Sequence, residues 1–223
     1  MRHLKRTLAL GVLVTCSTLP VIAEPRIAES LIAEPLIAEP LIAQECESPL
    51  EQLLARVPQL LSQHETWRAE FTQENHLAAL QAPLMSEGVV CVVVEKGLVW
   101  QVTSPIQSSV TLNNEGVDLG DGIDTGSKLT ASLLQNVLQA NFVPLQDQFE
   151  IAGCLEEDRW QLRLEPKQTF LAERILAIEI AGTRAVERLV LKQPGNNHLE
   201  IYFHPPQELP ELPQEVLKAL EHG

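Results

Sequence analysis

The side chains best suited to chemistry in this 223-residue chain are six histidines, four cysteines and a loop of clustered acids, and their spacing points away from catalysis. His64 and His76 flank an alternating stretch with solvated neighbours, which suits a surface role better than an acid–base pair. The run Gly120-Asp121-Gly122-Ile123-Asp124-Thr125-Gly126 offers carboxylates. It lacks both the calcium-loop ligand pattern with its closing glutamate and the Gly-Lys-Ser of a phosphate cradle, so it reads as a solvated hairpin loop. No Gly-x-Ser-x-Gly, His-Glu-x-x-His or Cys-x-x-Cys occurs. The expectation is a protein that is not an enzyme, with no catalytic residue, no metal and no cofactor.

What stands out instead is apolar: Trp67, Phe71, Trp100, Phe142, Trp160 and the leucines of one helix. Strands position most of them. Between Trp67 and Gln73, Trp67, Ala69 and Phe71 share one side and Arg68, Glu70 and Thr72 the other, which is a half-buried strand. Val89 to Val94 is apolar on both faces, so both must be covered or turned from water. Lys96-Gly97 separates the run Gly88 to Glu95 from Leu98 to Thr103 and predicts a two-residue hairpin, with Leu98, Trp100 and Val102 opposed to Val99 and Gln101. Leu129, Leu133, Leu134, Val137 and Leu138 follow helical spacing and predict an amphipathic helix ending near Asn141. Trp160, Leu162 and Leu164 then alternate with Gln161, Arg163 and Glu165. Ile175 to Ala181, with Leu176, Ile178 and Ile180 on one side, Val186 to Lys192 and Leu199 to His204 complete an antiparallel meander. An earlier helix starts at Ser48-Pro49-Leu50-Glu51, which has the form of a capping box, and Pro58 must kink or restart it.

The remainder of the chain sets the compartment. Residues 1–23 have a basic start, a short apolar run and a small-residue cleavage site at Val21-Ile22-Ala23, the form of a secretory signal peptide. Residues 24–45 repeat Ile-Ala-Glu-Pro with a period of five, and proline at that spacing forbids a continuous helix, so they form an extended linker. The folded domain then spans 46–204, followed by a proline-rich tail, 205–223, with a short helix at Glu215 to Glu221. The formal charge is −14 and becomes −17 once the three basic residues of the signal are removed, so nucleic acid and anionic lipid surfaces are poor partners. Such acidity serves solubility or docks a basic partner. Cys46, Cys91 and Cys154 remain in the mature chain and allow three possible single bridges in an oxidising compartment.

One antiparallel sheet with few helices to cover it can curl into an incomplete barrel, giving the fold class expected here: α+β, mainly antiparallel β, an unclosed β-barrel with helices as a lid over the concave face. An apolar cavity of that kind suits acyl chains. Each buried methylene contributes about 0.8 kcal/mol, so ten would supply about 8 kcal/mol before ordering costs. Phe71-Thr72-Gln73, Pro83-Leu84 with Ser86 and Gly88, Gly97-Leu98-Val99-Trp100 and Pro105, then Phe149-Glu150-Ile151 and Trp160 to Pro166, resemble the periplasmic lipoprotein carrier family, LolA, from about Leu50 to His204. The resemblance implies a cofactor-free periplasmic monomer that takes acylated lipoproteins or related lipids from an inner-membrane transporter to an outer-membrane receptor. It implies that Phe71, Leu84, Leu98, Trp100, Trp160, Leu162 and Leu164 form the hydrophobic wall. Trp67, Val102, Leu133, Leu134, Val137 and Leu138 complete the expected acyl-chain site. The better-known members have an arginine–proline pair before the strand tryptophan, whose arginine helps hold the lid shut. This chain departs from them with Glu95-Lys96-Gly97-Leu98. The competing reading is a non-catalytic envelope adaptor with a closed core and an acidic surface for a basic protein partner.

Overall fold

The computed structural model describes residues 46–61, 64–113, 116–118 and 133–222. The segments expected to be a signal peptide and linker, the acidic run 120–126 expected to be a hairpin loop, and Leu129 lie outside the described residues. The described residues fall in one compact unit. Its centre is one eleven-stranded antiparallel sheet. The first meander comprises β1 (Thr66–His76), β2 (Leu84–Val93), β3 (Gly97–Ser104), β4 (Ser108–Asn113) and β5 (Gly116–Asp118). The second comprises β6 (Phe149–Glu156), β7 (Arg159–Pro166), β8 (Ala177–Gly182), β9 (Val186–Gln193) and β10 (Asn197–Phe203). Their order, β5-β4-β3-β2-β1-β10-β9-β8-β7-β6, joins the meanders along a single seam between β1 and β10. β5 and β6 do not pair with each other, so the barrel is unclosed. Helices α1 (Leu50–Leu60), α2 (residues 133–138), α3 (Thr169–Ala172) and α4 (Gln214–His222) accompany the sheet.

Local chemistry explains several departures from the sequence expectation. Ser48 does not cap α1, which begins after Pro49 without a side-chain cap. Its hydroxyl instead accepts from the Leu155 amide at 3.0 Å, and its own amide donates to the Gly153 carbonyl at 2.9 Å. The Cys46–Cys154 disulfide fixes the same segment, so residues 46–48 close the open edge of β6 and take up hydrogen-bonding groups that would otherwise invite another strand. Among the described residues Cys91 is a free thiol. α1 continues through Pro58 to Leu60, with Leu61 as its C-cap, so the helix ends within a turn of the residue that lacks an amide donor. The hairpin between β2 and β3 turns on Val94, Glu95 and Lys96, with Glu95 at φ 66°, so the loop is one residue longer than Lys96-Gly97 predicts. Leu176 precedes β8 and is exposed, while Ile178 and Ile180 are buried.

The carboxy-terminal tail returns to the sheet. β11 (Gln207–Glu208) pairs with the start of β1, and α4 lies against β3 and β4, where Asn113 donates to the Leu220 carbonyl at 3.2 Å. Asn113 and the buried Thr111 belong to the outer face of β4, so α4 supplies outer cover in this part of the sheet. No described helix is long and apolar enough to cross a membrane.

Candidate functional site

Period-two alternation sorts the strands into two faces. The registers place Trp67, Ala69 and Phe71 of β1 beside Val90 and Val92 of β2, Leu98, Trp100 and Val102 of β3, and Phe203 of β10. Trp160, Leu162 and Leu164 of β7 face the same way beside Ile178 and Ile180 of β8. Phe71 stacks on Trp100 with ring centroids 4.0 Å apart, and Phe203 meets Trp100 edge-on at 6.0 Å. Gly88 makes the stack possible. A Cβ there would lie 2.4 Å from the Phe71 ring and 2.2 Å from the Gln101 carbonyl oxygen, and a register shift between Glu87 and Gly88 bends the strand at this point. The Trp160 indole N–H donates to the Thr183 carbonyl at 2.7 Å, which satisfies the one polar group of a fully buried ring.

Leu53 and Val57 of α1, Leu133, Leu134, Val137 and Leu138 of α2, and Phe142 and Leu145 beyond it join these strand residues in one buried cluster. Of the thirteen expected acyl-site residues, Phe71, Leu98, Trp100, Leu133, Leu134, Val137, Leu138, Trp160, Leu162 and Leu164 lie in that cluster, and Trp67 and Val102 pack partly buried against it. Leu84 stands apart. It is the first residue of β2, paired with Asn75, and is 51 % exposed. The other twelve are buried or part-buried among the described residues. A cleft remains at one end, lined by Leu61, Trp67, Leu138, Val186, Phe203 and Pro206, with a cavity volume of about 30 Å³. It opens beside a shallow depression of about 560 Å³ formed by the β8–β9 turn and the chain leaving β10. His64, Arg184 and His204 give the cleft a polar rim. His64 faces Glu208 at 3.5 Å, and Arg184 is 4.0 Å from Asp158.

The opposite face is a lattice of charge. Arg163 of β7 and Lys192 of β9 both donate to one oxygen of the buried Glu179 of β8, each at 2.6 Å. Glu200 of β10 accepts from Arg188 at 2.9 Å and from the Tyr202 hydroxyl at 2.5 Å. Burial alone would raise the Glu200 carboxyl, but the bonds from Tyr202 and Arg188 outweigh it and hold its pKa below the usual value. Burial and the bond to Glu200 push the Tyr202 hydroxyl up. His76 and His198, opposite one another on β1 and β10, stack with centroids 4.2 Å apart and planes 9° apart. Burial and then the neighbouring His76 lower the pKa of His198. Burial raises the Cys91 thiol above its ordinary value, against the opposing pull of Arg68. His198 is the residue that sequence reading misses. Its signal is a mirrored pattern, Glu74-Asn75-His76 against His198-Leu199-Glu200, which superposes only when the two strands pair antiparallel.

No family model matches the chain, and no curated protein matches it in sequence. Among solved structures it is similar to MucB, with a TM-score of 0.47 and 10 % identity over 74 % of this chain and 61 % of that one. It is also similar to MucB in the Pseudomonas aeruginosa MucA/MucB complex, with a TM-score of 0.44 and 13 % identity over 77 % of this chain and 60 % of that one. The chain therefore spans about three-fifths of the length of MucB. In fold it is similar as well to a LolA superfamily protein from Nitrosomonas europaea, with a TM-score of 0.44 and 7 % identity over 74 % of this chain and 95 % of that one.

Proposed function

We propose that this protein is a periplasmic carrier that holds the acyl chains of lipoproteins or related lipids against the inner face of its sheet. The observation that supports the reading is the continuous apolar surface from Trp100 to Trp160, roofed by α1 and α2 through apolar side chains and reached by a cleft with a polar rim. An apolar throat beneath His64, Arg184 and His204 matches an amphiphile with a charged or polar head. Ligand pockets usually run from about 300 to 1,000 Å³. The cleft of about 30 Å³ is far smaller, so in this reading it widens on loading as the helical roof moves. Gln139, just past α2, has a buried Nε2 without a hydrogen-bond partner among the described residues. Such a group costs about 1–3 kcal/mol, and opening the roof to water would relieve it. In this reading residues 1–23 are a signal peptide, 24–45 a linker and 46–204 the carrier domain. The donor is an inner-membrane transporter and the acceptor an outer-membrane receptor.

Titration of the purified protein with a fluorescent palmitoyl probe tests the assignment. Saturable one-to-one binding is expected in the native chain, weakened at least tenfold in Leu138→Glu and Leu134→Glu variants that retain their circular dichroism. Absence of saturable binding in the native protein, or unchanged binding in both folded variants, refutes the acyl site. The close burial of the apolar cluster favours a second reading, an envelope adaptor with a permanently closed core whose acidity engages a basic protein. That reading predicts no acyl binding and partner capture that weakens steeply with salt.

A further inference from the structure

We propose that His76, His198 and Glu200, on the outer face of the sheet, form a binding site for a divalent transition-metal ion, zinc foremost. The three residues present donor atoms that all lie within 4.8 Å of one another. His76 and His198 are direct partners across the β1–β10 seam, with Glu74 and Glu200 paired two residues further along. Residues at i and i+2 on paired strands point to one side, so two imidazoles and two carboxylates form a square on a rigid base. Glu74 lies 3.1 Å from the His76 Nε2, and Glu200 lies 3.6 Å from the His198 Nε2.

The chemistry of the donors selects the class of ion. Imidazole nitrogen with a carboxylate oxygen is the ligand type of zinc and its neighbours, whereas calcium and magnesium take oxygen alone. Tetrahedral zinc with bonds of about 2.0–2.1 Å sets its ligand atoms about 3.3 Å apart. The observed separations need to close by at most about 1.5 Å, which side-chain rotation supplies without moving a strand. Ligating carboxylates are ordinarily held by further hydrogen bonds. Here Arg188 and Tyr202 both hold the Oε2 of Glu200 and leave its Oε1 turned toward His198. Lys192, opposite His198, donates to Glu179 at 2.6 Å, and its charge still reaches the histidine. Three protein ligands would leave the fourth position of zinc to water. A bound ion would clamp the one seam that joins the two meanders.

Isothermal titration of the chelator-stripped full chain with zinc chloride provides the test. One equivalent is expected to bind to the native protein, with affinity reduced at least tenfold in each of H76Q and H198Q and unchanged in H64Q. Cobalt chloride should give the visible absorption of a four-coordinate nitrogen–oxygen site in the native chain, and this signal should vanish in H76Q even if H198Q fails to fold. Unsaturated binding of several weak equivalents, an adventitious ion only, overturns the proposal. So does one-equivalent binding that survives intact in both variants. Neither result bears on acyl binding at the opposite face.

Discussion

The two faces of this sheet are made from the same strands, yet they solve opposite problems. Within β7, Trp160, Leu162 and Leu164 are fully buried beneath the helices, while Arg163, between them in sequence, reaches across to Glu179 on the outer side. The inner face holds together by area and shape, and deleting one side chain there leaves a hole. The outer face holds together by pairing, and its weak point is a partner removed from a buried charge. This difference teaches where function can reside: inside, in the exchange of the protein's own side chains for another apolar body; outside, in the exchange of protons and hydrogen bonds for an ion.

The largest effect should therefore fall inside. Trp160→Ala removes a fully buried ring and leaves the Thr183 carbonyl without its donor, and should cost about 3–5 kcal/mol in urea unfolding. A cost near 1 kcal/mol would mean that the inner face is loosely packed and that the contrast with the outer face fails. Next comes removal of both cations from Glu179. The double variant Arg163→Ala, Lys192→Ala should lose about 3 kcal/mol at neutral pH, because the carboxylate stays buried with neither of these partners. Removing the acid is the gentler cut. In Glu179→Leu the two cations, each more than a third exposed, can return to water, so stability should change by no more than about 1 kcal/mol. Equal losses in the two experiments would show that the lattice is not organised around its buried acid.

How much of this was readable from the chain depends on which physical signal carried it. Alternation reports which residues of one strand share a side, and it grouped Trp67 with Phe71, Leu98 with Trp100, and Trp160 with Leu164; that these sides make one wall was implied only by the family resemblance. The helical spacing from Leu133 to Leu138 likewise reported the roof. Alternation does not report how far a roof extends, which is why Leu84, on the inner side by parity, is left exposed beyond the helices. Nor does it report register. His76 and His198 become neighbours only once β1 and β10 pair, across more of the chain than any local pattern spans. Ser48 failed as a helix cap because a long-range competitor, the unpaired edge of β6, made better use of its hydroxyl. Pairing of Cys46 with Cys154, left open among three alternatives by spacing, was decided by the same edge contact.

The smallest effect gives the sharpest reading of the two faces, because it compares adjacent residues of one strand. Gln161 and Leu162 share the backbone environment of β7, but Gln161 lies half-buried on the outer side and Leu162 fully buried on the inner. Leu162→Ala should cost about 2–5 kcal/mol, since the rigid sheet beneath it cannot collapse into the space. Gln161→Ala should fall within about 0.5 kcal/mol of the native chain, as surface substitutions away from buried networks do. Both variants keep the same strand and the same ladder, so local β-propensity nearly cancels between them and the difference reports side-chain environment. If thermal melts of the pair moved together, β7 would be packed on both sides. The outer surface would then be covered by something more than its own charges.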